Sequence, residues 1–247
     1  MNPVLERVYE IGIIPVIAFN SVDEAIPLCK ALMDGGLPAA EVTFRTACAE
    51  ECIRKIHQEL PDMLLGAGTV LTTEQADRAM DAGASFIVAP GFDPIVTQHV
   101  IDKGGIMMPG TATAGEMQQA MNMGCAAIKF FPAEANGGVD KLKNIGAALK
   151  TAKWMCTGGV NAKNVNNYLA YPQIIAVGGT WMCKSDKIKA GAWDEITAMS
   201  REAVDVMLGL ELGHIGINCA NEDEAAKTAE TIANLLSMAV KVGNSSI

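Results

Sequence analysis

Short apolar runs of five to seven residues recur along the chain, and each is followed by a longer stretch in which apolar residues return at helical spacing. The runs are "GIIPVIA" (12–18), "AAEVTF" (39–44), "LLGAGT" (64–69), "FIVAP" (86–90), "IMMPG" (106–110), "AAIKFFP" (126–132), "WMCTGG" (154–159) and "IIAVGG" (174–179). They do not alternate apolar with polar, so each reads as a strand buried on both faces, as in a parallel sheet. Between them the pattern predicts helices. Ser21, with Glu24 three residues on, forms a start signal, and Gly35–Gly36 a stop. Thr46 is expected to cap a helix carrying Cys48, Cys52, Ile53, Ile56 and Leu60. Further helices are expected from Thr73, Asp93 and Thr113, over 138–150, from Asn161, and over 192–208, with a short opening helix over 3–11.

Eight strand–helix units in about 200 residues favour a closed (β/α)8 TIM barrel over an open doubly wound sheet. An open sheet usually shows a Gly-x-Gly-x-x-Gly turn after an early strand, and this chain has none. The expected architecture is an α/β barrel over 1–209 with an N-terminal helix, followed by a short β-α extension over 210–247.

Composition narrows the function. The 247 residues are half hydrophobic, enough for a sizeable core. The net charge of −9 gives no global attraction for nucleic acid or anionic membranes, so an anionic substrate needs a local positive site. No apolar run is long enough to span a membrane, and no signal peptide is seen, so a soluble, cytoplasmic protein is expected. The seven cysteines are loosely spaced with no Cys-x-x-Cys, which fits reduced thiols. His57, His99 and His214 stand apart with no second ligand at metal-binding spacing, so no metal site is expected.

In such a barrel the active-site groups lie at strand C-termini and the loops beyond them. On "EVTFRT", Glu41, Thr43 and Arg45 share one face. They read either as a structural ion pair at the barrel mouth or as a proton-transfer carboxylate with an anion-binding guanidinium; the sequence favours the second. "GAGT" ends at Thr69, where small residues allow close backbone approach to a ligand or simply tight barrel packing. "TGG" (157–159) and "GGT" (178–180) end the last two strands, as phosphate-binding loops or as simple turns. Lys129 stands between Ile128 and Phe130–Phe131. It reads as a lysine paired with Glu41 or reaching for the mouth, or as a Schiff-base nucleophile. For the second, desolvation is expected to lower its pKa and leave a neutral amine.

The strings "EVTFRT", "GAGTV", "VAPG", "MPGTATAGE", "IKFFPAEANGG", "TGGV" and "GGTW", in this order, resemble the 2-keto-3-deoxy-6-phosphogluconate / 2-keto-4-hydroxyglutarate aldolase family over residues 1–207. The resemblance implies a homotrimeric class I aldolase that needs no metal or other cofactor and acts on a small keto acid. Lys129 would then be the Schiff-base lysine and Glu41 the acid/base. Arg45 and Thr69 would bind the pyruvyl carboxylate, and Pro90 and Phe131 would line the pyruvate pocket. Thr157, Gly158, Gly159, Gly178, Gly179 and Thr180 would hold the distal phosphate or carboxylate. Some relatives place a cation after the first strand, whereas this chain has Ala18 and Asn20 there.

The favoured reaction is cleavage of 2-keto-3-deoxy-6-phosphogluconate, of 4-hydroxy-2-oxoglutarate, or of both. A phosphosugar isomerase or epimerase on the same barrel, and a non-catalytic keto-acid binder, are the alternatives. The tail after Gly209 reads as a strand, "HIGINC", an acidic helix and the start of another strand. It resembles the opening of a glyoxalase-like (vicinal oxygen chelate) module, in which such a histidine as His214 can be a metal ligand. With only that opening present, it is expected to be a surface or oligomer-contact add-on, with a truncated second domain as the alternative.

Overall fold

The computed structural model describes residues 2–209 and 218–235. The chain divides into two compact units, Met1–Gly209 and Leu210–Ile247.

The first unit opens with helix α1 (Pro3–Ile11), capped by Asn2, and strand β1 (Ile13–Ile17). Ser21 and Glu24 form the expected capping box around a single 3-10 turn, and α2 (Ala25–Asp34) follows. Next come β2 (Ala39–Thr43), α3 (Ala49–Glu59), β3 (Leu64–Gly68), α4 (Thr73–Asp81), β4 (Phe86–Val88) and α5 (Pro94–Asp102). The chain continues through β5 (Met107–Met108), β6 (Gly110–Thr111), α6 (Ala114–Asn122), β7 (Ile128–Phe130), α7 (Gly138–Gly146) and β8 (Trp154–Thr157). It ends with α8 (Val165–Leu169), β9 (Ile174–Gly179), α9 (Ser185–Lys189) and α10 (Trp193–Leu208).

The strand order β5-β4-β3-β2-β1-β9-β8-β7-β6 is parallel throughout. Its two ends, β5 and β6, are halves of one strand interrupted at Pro109. Pro109 has no N–H to give the ladder, yet its carbonyl accepts from Lys129 N at 2.9 Å and carries the pairing across. The sheet therefore closes as the eight-stranded barrel the pattern predicts, with the 106–110 strand split in two.

Alternate residues of each strand feed two cores. Ala40, Val42, Ile128 and Phe130 face outward and pack beneath the helices. Ala39, Leu64, Phe86, Met108 and Met155 face inward, and Leu5 and Val8 of α1 pack against them. α1 thus plugs the N-terminal end of the barrel, which leaves the C-terminal end for chemistry.

Three local expectations need correction, and one short helix is unexpected. α3 begins at Ala49 with no side-chain cap, because the Thr46 hydroxyl lies 3.5 Å from Cys48 Sγ instead of meeting a helix N–H. α7 stops at Gly146, where Trp154, Tyr171 and Gln173 crowd the glycine. The helix expected from Asn161 is delayed to Val165, because Asn161 and Asn164 bond to each other and to the Gly159 carbonyl. The apolar pattern does not predict α9; its five residues are too few to show a period.

In the second unit, α11 (Glu222–Leu235) is the expected acidic helix, with Asn221 accepting from Glu224 N at 2.9 Å. Most of the strand expected over 214–219, including His214, and the start of the next strand lie outside the described residues. No helix among the described residues is long and apolar enough to cross a membrane.

The Thr113 capping box gives a test. Glu116 Oε2 accepts from Ala112 N, Thr113 N and the Thr113 hydroxyl at 2.8–2.9 Å. These bonds, that from Ala112 N first, hold its pKa below the ordinary carboxylate value. The folded pKa lies below the unfolded one, so the stabilisation is complete above the unfolded value and fades as pH falls through the folded value. Glu116→Ala should cost about 1 kcal/mol in urea unfolding at pH 7, with the difference from the parent narrowing in acid. A difference independent of pH would contradict the assignment.

Candidate active site

Glu41 sits in β2 on the inward face, paired in register with Val16 of β1 and Gly66 of β3. It is 1% exposed, a costly position for a carboxylate unless it is paired. Its partner comes from across the barrel: Lys129 Nζ, 5% exposed, donates to Glu41 Oε1 at 3.2 Å. Glu41 Oε2 is buried with no hydrogen-bond partner. One carboxylate oxygen thus holds the lysine, while the other is an unused acceptor.

The surroundings of Lys129 differ from the sequence expectation. Ile128 and Phe130 point the other way, into the core beneath the helices. The aromatic group that reaches the amine is Phe131, whose ring centroid lies 5.2 Å from Nζ. Lys129 is thus both buried and paired with Glu41.

Glycine makes the approach possible at two positions. A Cβ on Gly68 would lie 2.2 Å from Glu41 Oε1, so the carboxylate occupies the space a side chain would need. Of the two glycines in "GAGT", Gly68 gives its space to Glu41 and Gly66 to the Phe86 ring. Gly110, paired in register with Lys129, plays the same part for Pro90, whose carbonyl group would lie 2.3 Å from a Cβ at 110. This brings the Pro90 backbone against the strand next to Lys129.

Thr43, inward like Glu41, donates its hydroxyl to the Ile17 carbonyl at 3.0 Å and ties β2 to β1. Arg45 lies beyond the strand end and is exposed. Its Nε donates to Thr69 Oγ1 at 3.1 Å. Thr69 is the one non-glycine residue with positive φ, 57°, among the described residues. Such backbone is uncommon away from functional positions. With Nε engaged, the outer edge of the guanidinium has no partner among the described residues, and that edge is the one suited to a bidentate carboxylate.

The loops expected to hold a distal anion meet on the β8–β9 side. Thr157 is 7% exposed, and its Oγ1 is buried without a partner. Gly158 and Gly159 have φ of 101° and 85°, open to glycine alone at low cost. The turn after β7 docks on them: Ala133 N donates to Thr157 O at 2.8 Å and Glu134 N to Gly158 O at 3.0 Å. Tyr168 donates its hydroxyl to Glu134, and burial followed by this bond pushes the phenol well above its ordinary pKa. Glu134 and Tyr168 drew no role from the sequence, because their contact joins residues 34 positions apart. Gly178 and Gly179 are buried within β9, where Thr157 and the Trp181 ring fill the space beside them.

Thr180 opens onto a cavity of about 310 Å³, together with Ala18, Thr43, Arg45, Cys183 and Lys184. Burial pushes the Cys183 thiol up to about 12, so it is not a thiolate nucleophile at neutral pH. Among the described residues, no three His, Cys, Asp or Glu side chains are grouped to hold a metal ion. Lys129 is a buried primary amine with a base in contact. A primary amine beside a carboxylate, with an anion anchor nearby, suits carbonyl addition followed by proton transfer.

A family model described as "Aldolase: KDPG and KHG aldolase" matches residues 4–199. A 2-dehydro-3-deoxy-phosphogluconate aldolase from Treponema pallidum (strain Nichols) is 41% identical over 207 residues, spanning 84% of this chain and 99% of the relative. A KHG/KDPG aldolase from Escherichia coli (strain K12) is 38% identical over 193 residues, spanning 78% of this chain and 91% of the relative. Among solved structures, a KDPG aldolase from Legionella pneumophila, with pyruvate captured at low pH as a covalent carbinolamine intermediate, superposes with a TM-score of 0.78 at 35% identity. That match covers 81% of this chain and 97% of the other.

Gly68→Ala should push the Glu41 carboxylate away from Lys129. It is expected to cost about 1–3 kcal/mol in urea unfolding, as overpacking does, and a crystal structure should show the 3.2 Å contact broken. An equally stable variant with the contact intact would contradict this account of Gly68.

Proposed function

Because the chain belongs to the KDPG and KHG aldolase family, we propose that Lys129 is the Schiff-base lysine of a class I pyruvate aldolase and Glu41 its acid/base. The observation that carries the assignment is the buried 3.2 Å contact between Lys129 Nζ and Glu41 Oε1. The substrate is a 2-keto-3-deoxy-4-hydroxy acid: 2-keto-3-deoxy-6-phosphogluconate, giving pyruvate and glyceraldehyde 3-phosphate, with 4-hydroxy-2-oxoglutarate, giving pyruvate and glyoxylate, as a second. The relatives support this pair, one named for the first activity and one for both.

The chemistry follows from the placement. Lys129, having passed its proton to Glu41, attacks the C2 ketone. The carbinolamine loses its hydroxyl as water, with Glu41 returning the proton, and an iminium remains. Glu41 then removes the C4 hydroxyl proton, the C3–C4 bond breaks, and its electrons flow into the iminium. The aldehyde departs and leaves an enamine, which takes a proton at C3. Hydrolysis frees pyruvate and the lysine. The unpartnered Oε2 is the acceptor that the C4 hydroxyl, or a water relaying to it, would use.

Arg45 and Thr69 hold the pyruvyl carboxylate, so the carbonyl meets the amine with little search. Pro90 and Phe131 line the pocket around the reacting carbons. Thr157, Gly158, Gly159, Gly178, Gly179 and Thr180 form the distal anion site. The reading places this chemistry in 1–209, leaves 210–247 as a separate extension, requires no metal, and carries a homotrimeric, cytoplasmic enzyme from the family resemblance.

Treatment with pyruvate and borohydride should leave one reduced adduct, mapped by peptide mass spectrometry to Lys129. An adduct on another lysine, or none, would overturn the assignment. Glu41→Gln should lower kcat by about 10²–10⁴-fold, the usual share of general acid/base help, with KM changed far less. Undiminished kcat in Glu41→Gln would remove Glu41 from the mechanism.

A further inference from the structure

The cavity at the C-terminal ends of β1, β2 and β9 carries a group that the sequence pattern did not single out. β1 lies between β2 and β9 and gives this wall only Val16, Ile17 and Ala18. The charges come from the neighbouring loops: Arg45 after β2, and Lys184 and Asp186 after β9. Two cations against one carboxylate make the cavity locally positive in a chain of net charge −9. Lys184 is exposed, and its ammonium makes no hydrogen bond or ion pair among the described residues. The next lysine, Lys187, is by contrast committed to Glu195 at 2.5 Å. Asp186, the one carboxylate in this lining, leaves the two cations in excess.

We propose that Lys184 is a specificity residue, whose ammonium neutralises the distal phosphate monoester of the substrate, with the Thr180 and Ser185 hydroxyls beside it. The inference rests on the aldolase reading above, which fixes C2 of the substrate at Lys129. From β7, which carries Lys129, β9 is two strands away, about 9–10 Å along the sheet. A six-carbon phosphorylated chain has six bonds from C2 to phosphorus, about 7–8 Å extended. A five-carbon diacid has three bonds from C2 to its far carboxyl, about 4 Å. With phosphate oxygens about 1.5 Å beyond phosphorus, only the longer substrate comes within hydrogen-bonding reach of the β9 loop. There it meets a point charge on a flexible stem and two hydroxyls, which suit a near-dianionic group with three acceptor oxygens.

The test is steady-state cleavage of both substrates by Lys184→Ala and Lys184→Arg, alongside pyruvate–borohydride trapping. Lys184→Ala should raise KM for 2-keto-3-deoxy-6-phosphogluconate about five- to tenfold at low salt, as loss of one exposed charge-assisted contact would. kcat should stay within about twofold, and the KM effect should shrink in high salt. Competitive inhibition by inorganic phosphate should weaken in proportion, while Lys184→Arg should stay near the parent. KM for 4-hydroxy-2-oxoglutarate should move far less. An unchanged KM for the phosphorylated substrate, or an equal loss on both substrates, would overturn the role of Lys184 while trapping at Lys129 persists. Failure of the parent to be trapped would overturn the aldolase reading and this proposal with it.

Discussion

An amine and a carboxylate, both withdrawn from water and in contact, set the terms for the rest of the molecule. Burying either alone would cost several kcal/mol. Burying them together is tolerable only while the contact between Lys129 and Glu41 is kept. The two residues are 88 positions apart, on strands that are not neighbours. Only a closed barrel brings inward-facing residues of β2 and β7 to one point. On the proposed reading the pair also carries the chemistry, because the carboxylate in contact with the amine is placed to exchange a proton with it.

The remaining structure serves that placement. α1 plugs one end with Leu5 and Val8 and leaves the other open to substrate. Pro109 and its two half-strands close the sheet beside Lys129. Gly68 and Gly110 have no side chains because Glu41 and Pro90 need the room. Around the mouth, Arg45, bonded to Thr69, shares one cavity with Thr180 and Lys184, and on the proposed reading these groups supply the anion contacts. A substrate with two anionic ends and a reacting centre between them fits that layout.

Much of this was legible in the sequence, for physical reasons. Non-alternating apolar runs separated by amphipathic stretches can hardly be anything but a parallel α/β fold. Against that pattern, the polar residues Glu41 and Lys129 stood out because burial makes them expensive. The misreadings have physical causes too. Ile128 and Phe130 adjoin Lys129 in sequence, but the pleat sends them to the opposite core. A glycine reveals that something comes close without naming it, so ligand approach and tight packing read alike at Gly68 until Glu41 is seen beside it. The Glu134–Tyr168 bond and the place of Lys184 depend on loop packing between distant segments, and no periodicity records that.

Exchange of the pyruvate methyl hydrogens in D2O, followed by proton NMR, tests the central pair most directly. Exchange requires an iminium on the lysine and a base to take the methyl proton. The parent should exchange these hydrogens rapidly, Lys129→Ala should not exchange them above the uncatalysed rate, and Glu41→Gln should do so at least about a hundredfold more slowly than the parent. Exchange that survives in Lys129→Ala, or that is indifferent to Glu41→Gln, would contradict the account.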